Sequence, residues 1–215
     1  MHQNLAQKAF VFLEEKIVNL KLIPGEVYSE EEISNLLEVS RTPLREALLK
    51  METYDLVEMI PRLGVKITKI GFNRQLAIQE TKKALDLLVF SSAARRANKE
   101  EREKLINLAD RIISIGKAKK RCNYFKLDQE FNNILDQACR NDFASHALIP
   151  LRIHTRRLLS YIISKNDENE MNNYCLLQEK IIRAIADGDE KMVEQTSSSL
   201  IDHLNSYTRE LLELR

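Results

Sequence analysis

The ten residues Val39-Ser40-Arg41-Thr42-Pro43-Leu44-Arg45-Glu46-Ala47-Leu48 decide how the first third of this chain folds. Ser40 and Thr42 are each good helix-opening residues, and Pro43 suits a first turn because its missing N–H would have no intrahelical partner there. Two starts stay open, with Ser40 as the cap, or with Thr42 as the cap and Pro43 in the first helical position. In either case Leu44, Ala47, Leu48 and Met51 recur at helical spacing and form one apolar face. Thr42, Arg45, Glu46 and Leu49 fall on the other face, with Arg41 beside the first turn. The spacing predicts a helix buried on one side that shows two arginines, one turn apart, on the other.

Upstream, Ala6, Phe10, Leu13, Ile17 and Leu20 predict an amphipathic helix over Leu5 to Leu20, ended by the turn residues Ile23-Pro24-Gly25. Ser29 and Glu32 form a capping box for a short second helix, whose acidic first turn suits the positive end of the helix dipole. Ile33, Leu36 and Leu37 are its expected buried side. Downstream come Leu56 to Ile60, a Pro61-Arg62-Leu63-Gly64 turn, and Val65 to Ile70, where Val65 and Ile67 alternate with Lys66 and Thr68 as in a half-buried strand. Helix, short helix, helix and hairpin describe a winged helix-turn-helix.

Such a fold can lay its third helix in the major groove of duplex DNA, with the N-terminal side chains at base edges. Arginine reaches guanine O6 and N7 in bidentate fashion. Ser40, Arg41, Thr42 and Arg45 are placed for that work, and Arg62, Gly64 and Lys66 on the hairpin would meet the backbone or the minor groove. Bulk charge does not announce this partner: the net charge is +1, and residues 1–70 hold nine Lys/Arg against eleven Asp/Glu. The positive charge is local, in Arg41, Arg45, Lys50, Arg62, Lys66 and Lys69, while the acids crowd residues 26–38, from where they can lie away from DNA.

Over Leu22-Ile23-Pro24-Gly25-Glu26, then Val39 to Leu48, then Leu56-Val57 and the Gly64 wing, the chain resembles the DNA-binding domain of the GntR family of bacterial regulators. The resemblance covers residues 8–70. It implies that Arg41, Thr42, Arg45 and the wing around Gly64 contact operator DNA. Glu31 stands where some relatives place an operator-contacting Arg, so the resemblance implies that this contact is absent.

At 215 residues, 44% hydrophobic and 30% charged, the chain has the balance of an ordinary soluble globular protein, and five Gly and four Pro leave few breaks in long helices. From Gly71 onward the strand signal vanishes. Helical periodicity predicts six helices, over 73–98, 100–116, 120–139, 142–164, 168–187 and 189–213, with the last break at Gly188. Short connections imply an antiparallel all-α bundle. The expected architecture is mainly α, with domains at 1–71 and 72–215. The second domain resembles the FCD effector-binding domain of the FadR subfamily, in its six-helix, VanR-like branch. The matching stretches are Gln79-Glu80-Thr81-Lys82 through Asp86, Ala93-Ala94-Arg95-Arg96-Ala97, Leu127-Asp128-Gln129-Glu130-Phe131, Asn141, and Ile181 through Asp189.

Polar residues interrupt the apolar stripes of this domain. Lys82 lies with Ile78, Leu85 and Val89; Asp128 and Asn132 with Tyr124, Leu127, Phe131 and Leu135; Gln178 with Ile181, Ile182 and Ile185; His203 with Leu200, Leu204 and Tyr207. A buried charge is costly without a partner, so four helices aiming polar groups inward suggest a cavity for a polar effector. Lys82 would anchor an organic acid, with Asp128, Asn132, Gln178 and His203 as further contacts. Many relatives hold a divalent metal there with one Asp and three His. Asp128 matches the Asp, but Asn132 and Gln178 stand at two His positions and Leu200 at the third, with His203 one turn later. Amides are poor ligands for zinc-like ions, so no tightly bound metal and no cofactor are expected.

Cys122, Cys139 and Cys175 are odd in number, without a CxxC pair, which argues against a disulfide framework and fits a cytoplasmic protein. No signal-peptide h-region and no apolar run near ~18 residues occurs, so no membrane association is expected. No nucleotide-binding loop or nucleophile–base spacing supports an enzyme, and His2, His146 and His154 read as surface or core residues. The expected function is a homodimeric repressor of double-stranded operator DNA, modulated by a small organic acid. The alternatives are a ligand-free helical dimer acting as a structural DNA-binding protein and, behind it, a helical-bundle enzyme.

Overall fold

The computed structural model describes residues 5–118, 121–164 and 168–213. These divide into two compact units, one of residues 1–71 with 153–161, the other of 72–152 with 162–215. The first unit contains α1 (Leu5–Val18), β1 (Val27–Tyr28), α2 (Glu30–Leu37), α3 (Arg41–Thr53), β2 (Val57–Ile60) and β3 (Gly64–Ile67). Phe10, Leu13 and Ile17 of α1 are buried, as are Leu44, Ala47, Leu48 and Met51 of α3, and the two helices pack together. The rings of Phe10 and Tyr54 meet edge to face, with centroids 6.0 Å apart. Helix α1 stops at Val18, two residues before the apolar stripe does, because Leu20 turns the chain with a left-handed φ of 58°.

The capping box of α2 is complete. The Ser29 hydroxyl accepts from the Glu32 N–H at 3.1 Å, and the Glu32 carboxylate accepts from the Ser29 N–H at 2.7 Å. These donors hold the Glu32 carboxyl below its usual range, the backbone N–H contributing more than the hydroxyl. Ile33 and Leu37 are buried, but Leu36, expected inside, is 45% exposed. One apolar row four residues apart fills the space beneath so short a helix, and Leu36 lies to its side. Ser40 caps α3 with extended backbone, so Arg41 is the first helical residue and Pro43 the third. Pro43 is still within the first turn, where an N–H would have no partner.

The sheet is one strand larger than the predicted hairpin. Its order is β1-β3-β2, all antiparallel, with Tyr28 opposite Val65 and Ile60 opposite Gly64. Val65 and Ile67 are buried and Lys66 is not, as the alternation requires. Residues 153–161 belong to α7 (Asp142–Ser164) and complete this unit. There Arg157, 1% exposed, donates to the Thr68 hydroxyl at 3.1 Å and to the Thr68 carbonyl, Arg156 pairs with Glu14 at 2.6 Å, and His154 donates to the Tyr54 carbonyl at 2.8 Å.

The described elements of the second unit are all helices. It contains α4 (Phe72–Arg96), α5 (Lys99–Ala118), α6 (Arg121–Ala138), the rest of α7, α8 (Glu168–Asp187) and α9 (Glu190–Glu213). Helix α5 packs on α6 and α8, and α4 on α9. Gly116 lets α5 and α8 come close, since a Cβ there would stand 2.8 Å from Cβ of Cys175. Arg102 ties two helix ends together, donating to the carbonyls of Ala94 (2.7 Å), Ala97 (3.0 Å) and Ala186 (2.6 Å). The break expected at Gly188 is present, with Gly188 at φ 76°. Cys139 and Cys175 are buried thiols; His2 and the side chain of Cys122 lie outside the described residues, as do positions 119–120 and 165–167 beside two expected helix boundaries. No described helix is long and apolar enough to cross a membrane.

Candidate nucleic-acid interface and bundle site

The outer face of α3 and the first turn of α2 line one groove of about 580 Å³. Its walls are Glu30 and Glu31 from α2, and Arg41, Thr42, Arg45, Glu46 and Leu49 from α3. Ser40, Arg41, Thr42 and Arg45 are all exposed at the N-terminal end of α3. Two acids from the 26–38 cluster stand beside these arginines rather than apart from them. Arg45 donates from Nε to both oxygens of Glu30, at 3.0 and 3.2 Å. Arg41 lies 4.0 Å from Glu31, with both side chains about three-quarters exposed. Sequence reasoning missed Glu30 as a partner, since a separation of fifteen positions from Arg45 leaves no periodic signal.

On the hairpin, Arg62 takes a left-handed φ of 67° and the Leu63 N–H closes the turn onto the Ile60 carbonyl at 3.1 Å. Arg62 and Leu63 are exposed at its tip. Lys66 points across the sheet to Glu58, 3.1 Å away, its register partner on β2. Gly64 occupies the strand end nearest the tip with φ 121°, a conformation only glycine adopts readily.

The second candidate site is inside the helical unit. Asp128 on α6, 9% exposed, accepts at one oxygen from the Gln178 amide (3.1 Å) and at the other from the Asn132 amide (3.2 Å). Gln178 in turn accepts from the Tyr124 hydroxyl at 2.7 Å. Tyr174 meets the Tyr124 ring edge-on, with centroids 5.7 Å apart. Burial pushes the Tyr174 hydroxyl well above the ordinary phenol range, and the nearby carboxylates of Asp128 and Asp86 push it further. Burial, then Asp128, raises the Cys175 thiol to about 12, so this thiol is inert as a nucleophile at neutral pH. Lys82 is paired with Asp86 one turn on, with 17% and 5% of the two side chains exposed. His203 stands apart from this network and is bonded through Nε2 to Glu170 at 2.7 Å. Asn132, Gln178 and Asp128 come together as expected. Tyr124, Tyr174, Asp86 and Glu170 are additions.

This donor set does not fit a zinc-like ion. Both oxygens of Asp128 face amide N–H groups, His203 is occupied by Glu170, and among the described residues no group of three or more His, Cys, Asp or Glu could hold a metal.

Two families match the chain. The family described as bacterial regulatory proteins, gntR family, matches residues 5–67, and the FCD domain matches residues 77–203. The HTH-type transcriptional repressor RspR of Escherichia coli (strain K12) is 29% identical over 136 residues, which are 63% of this chain and 59% of that protein. An uncharacterized HTH-type transcriptional regulator of Streptomyces ambofaciens is 31% identical over 78 residues, 36% of this chain and 33% of that one. The chain thus spans less than two thirds of the length of the curated relatives it matches. The solved structure of E. coli McbR/YncC superimposes with a TM-score of 0.85 over 98% of this chain and 99% of that one, at 14% identity, which is a likeness of fold. Both relatives are named as HTH-type transcriptional regulators.

Proposed function

Because this chain belongs to the GntR family of bacterial regulatory proteins and carries an FCD domain over residues 77–203, we propose that it is a sequence-specific DNA-binding transcriptional regulator, most simply a repressor. One observation carries the reading. The inner face of α3 is fully occupied by the core, while Arg41, Thr42 and Arg45 stand exposed at its N-terminal end, and Arg62 stands exposed at the hairpin tip of the same unit. That is the presentation a recognition helix requires. Ser40, Gly64 and Lys66 complete the proposed contact surface. A cytoplasmic homodimer would place two such surfaces on a two-fold operator. Arg45→Ala is expected to weaken operator binding by about 1–3 kcal/mol and to relax base preference at one position per half-site. Unchanged affinity in a fluorescence titration would remove α3 from the reading.

The bundle then senses a small polar effector, with Lys82, Asp128, Asn132, Gln178 and His203 as its proposed contacts. An organic acid would compete with Asp86 for the Lys82 ammonium, exchanging one ion pair for another. Occupancy that favours one of two arrangements by ~1–3 kcal/mol would change operator affinity roughly 5–150-fold. In a thermal-shift screen of sugar, hydroxy, amino and fatty acids, we expect at least one compound to raise the unfolding midpoint of the wild type and not that of Lys82→Ala. The self-satisfied pairing of Lys82 with Asp86, and of Asp128 with two amides, favours a second reading in which the bundle is structural. A screen without any stabilising acid would select it.

A further inference from the structure

Glu30 is not among the proposed DNA contacts, yet it is the residue that holds Arg45. It is the first residue of α2, where the helix dipole favours a carboxylate. Its side chain is 24% exposed, and both its oxygens lie against Nε of Arg45. Among the described residues, no other protein group bonds the Arg45 guanidinium, which is 67% exposed. Arg41 has no comparable support, since its nearest carboxylate is at 4.0 Å with 73% of that side chain exposed. The two arginines of the recognition face are therefore not equivalent. One is buttressed and one is loose.

The chemistry of the guanidinium gives this difference a consequence. It presents five N–H donors in a rigid plane. A carboxylate on the Nε side fixes that plane and leaves the two terminal nitrogens, side by side, for another bidentate acceptor. Guanine offers such an acceptor pair in O6 and N7. A long side chain held in one orientation also loses less freedom on contact than one that samples many. The carboxylate has the opposite effect on the DNA backbone, because a negative charge near phosphates weakens sequence-independent attraction.

We infer that Glu30 is a positioning residue for DNA reading: it holds the Arg45 guanidinium with its terminal edge turned outward, so that Arg45 discriminates guanine, while lowering affinity for DNA in general. This rests on the assignment of Arg45 to base reading.

The test uses the full chain and a duplex that the wild type selects from a randomised pool. Every single-base variant of that duplex is titrated by fluorescence anisotropy at fixed salt, with wild type, Glu30→Gln, Arg45→Ala and the double variant. Glu30→Gln is expected to lower base discrimination roughly 3- to 10-fold at the same base pair whose preference Arg45→Ala abolishes. Its affinity for a scrambled duplex is expected to rise, and the double variant to match Arg45→Ala in base preference. Unfolding midpoints should stay within a few degrees of one another, because the Arg45 side of the pair is two-thirds exposed and an ion pair so open to solvent contributes about 1 kcal/mol or less. Three outcomes overturn the proposal. In the first, Glu30→Gln strengthens selected and scrambled duplexes equally, making Glu30 a bystander charge. In the second, it relaxes preference at a different base pair, making Glu30 a base contact in its own right. In the third, Arg45→Ala leaves every preference intact, and the underlying assignment falls with the proposal.

Discussion

Gly64→Ala is expected to destabilise the winged unit by about 2–4 kcal/mol, combining a strained backbone with an overlap that cannot relax cheaply. Gly64 sits at φ 121°, outside the regions open to residues with a Cβ. A Cβ at this position would lie 2.3 Å from the Tyr28 carbonyl oxygen. That oxygen is backbone of β1, which pairs with β3 through Tyr28 and Val65, so relief requires the strands to part. For a small domain, such a loss lowers the unfolding midpoint by roughly 10 °C or more. Thermal unfolding followed by circular dichroism reads it, and a midpoint within about 2 °C of wild type would contradict the geometry. Because the same glycine shapes the hairpin end beside Arg62, operator affinity should fall in parallel.

Arg157→Ala is expected to cost the same unit about 2–4 kcal/mol. Arg157 is the largest fully buried side chain of the described chain. Its guanidinium donates to both the hydroxyl and the carbonyl of Thr68, directly after β3. Hydrogen bonds from charged donors contribute about 1.5–3 kcal/mol each, and truncation also leaves a cavity. Thr68 is itself tied to the residue just before β2, its N–H donating to the Leu56 carbonyl at 3.1 Å. Loss of Arg157 should therefore appear as faster hydrogen exchange at Thr68 and Ile67, beyond a lower midpoint. Arg157→Lys keeps the charge but not the planar fork, and should recover less than half of the loss. Full recovery by Lys would show that charge alone mattered.

The contrast between these two residues shows what the amino-acid order makes visible. Gly64 stands out in that order, because a turn needs glycine at its far end. The same holds for the Ser29–Glu32 box, the apolar face of α3 and the break at Gly188, all set by neighbours within four residues. Arg157 cannot be found that way. Its partner lies 89 residues away, and nothing local distinguishes it from a solvated arginine on a long helix. β1 is hidden for a related reason: two residues carry no alternation, and their pairing with β3 is a tertiary event. Leu36 departs from its expected place because apolar periodicity does not say how wide a stripe the core can cover.

The candidate sites divide in the same way. Arg41, Thr42 and Arg45 are legible from helical phase, whereas Glu30, fifteen residues from Arg45, is not. In the bundle, inward polar residues are legible as interruptions, but their partners are not. Asp128 meets Gln178 across fifty residues of sequence. The Lys82–Asp86 pair is the exception. Its i, i+4 spacing stands in the sequence, and it changes what Lys82 must do, since an acid ligand has to compete with a carboxylate already in place.

The central claim is that the outward face of α3 reads base sequence, and one comparison tests it most directly. The full chain is titrated at ~0.15 M salt with a duplex selected by it from a randomised pool, and with a scrambled duplex of the same composition. The account predicts an affinity ratio on the order of 10³ or more in favour of the selected duplex. Equal affinity for the two, with and without small organic acids, would contradict it.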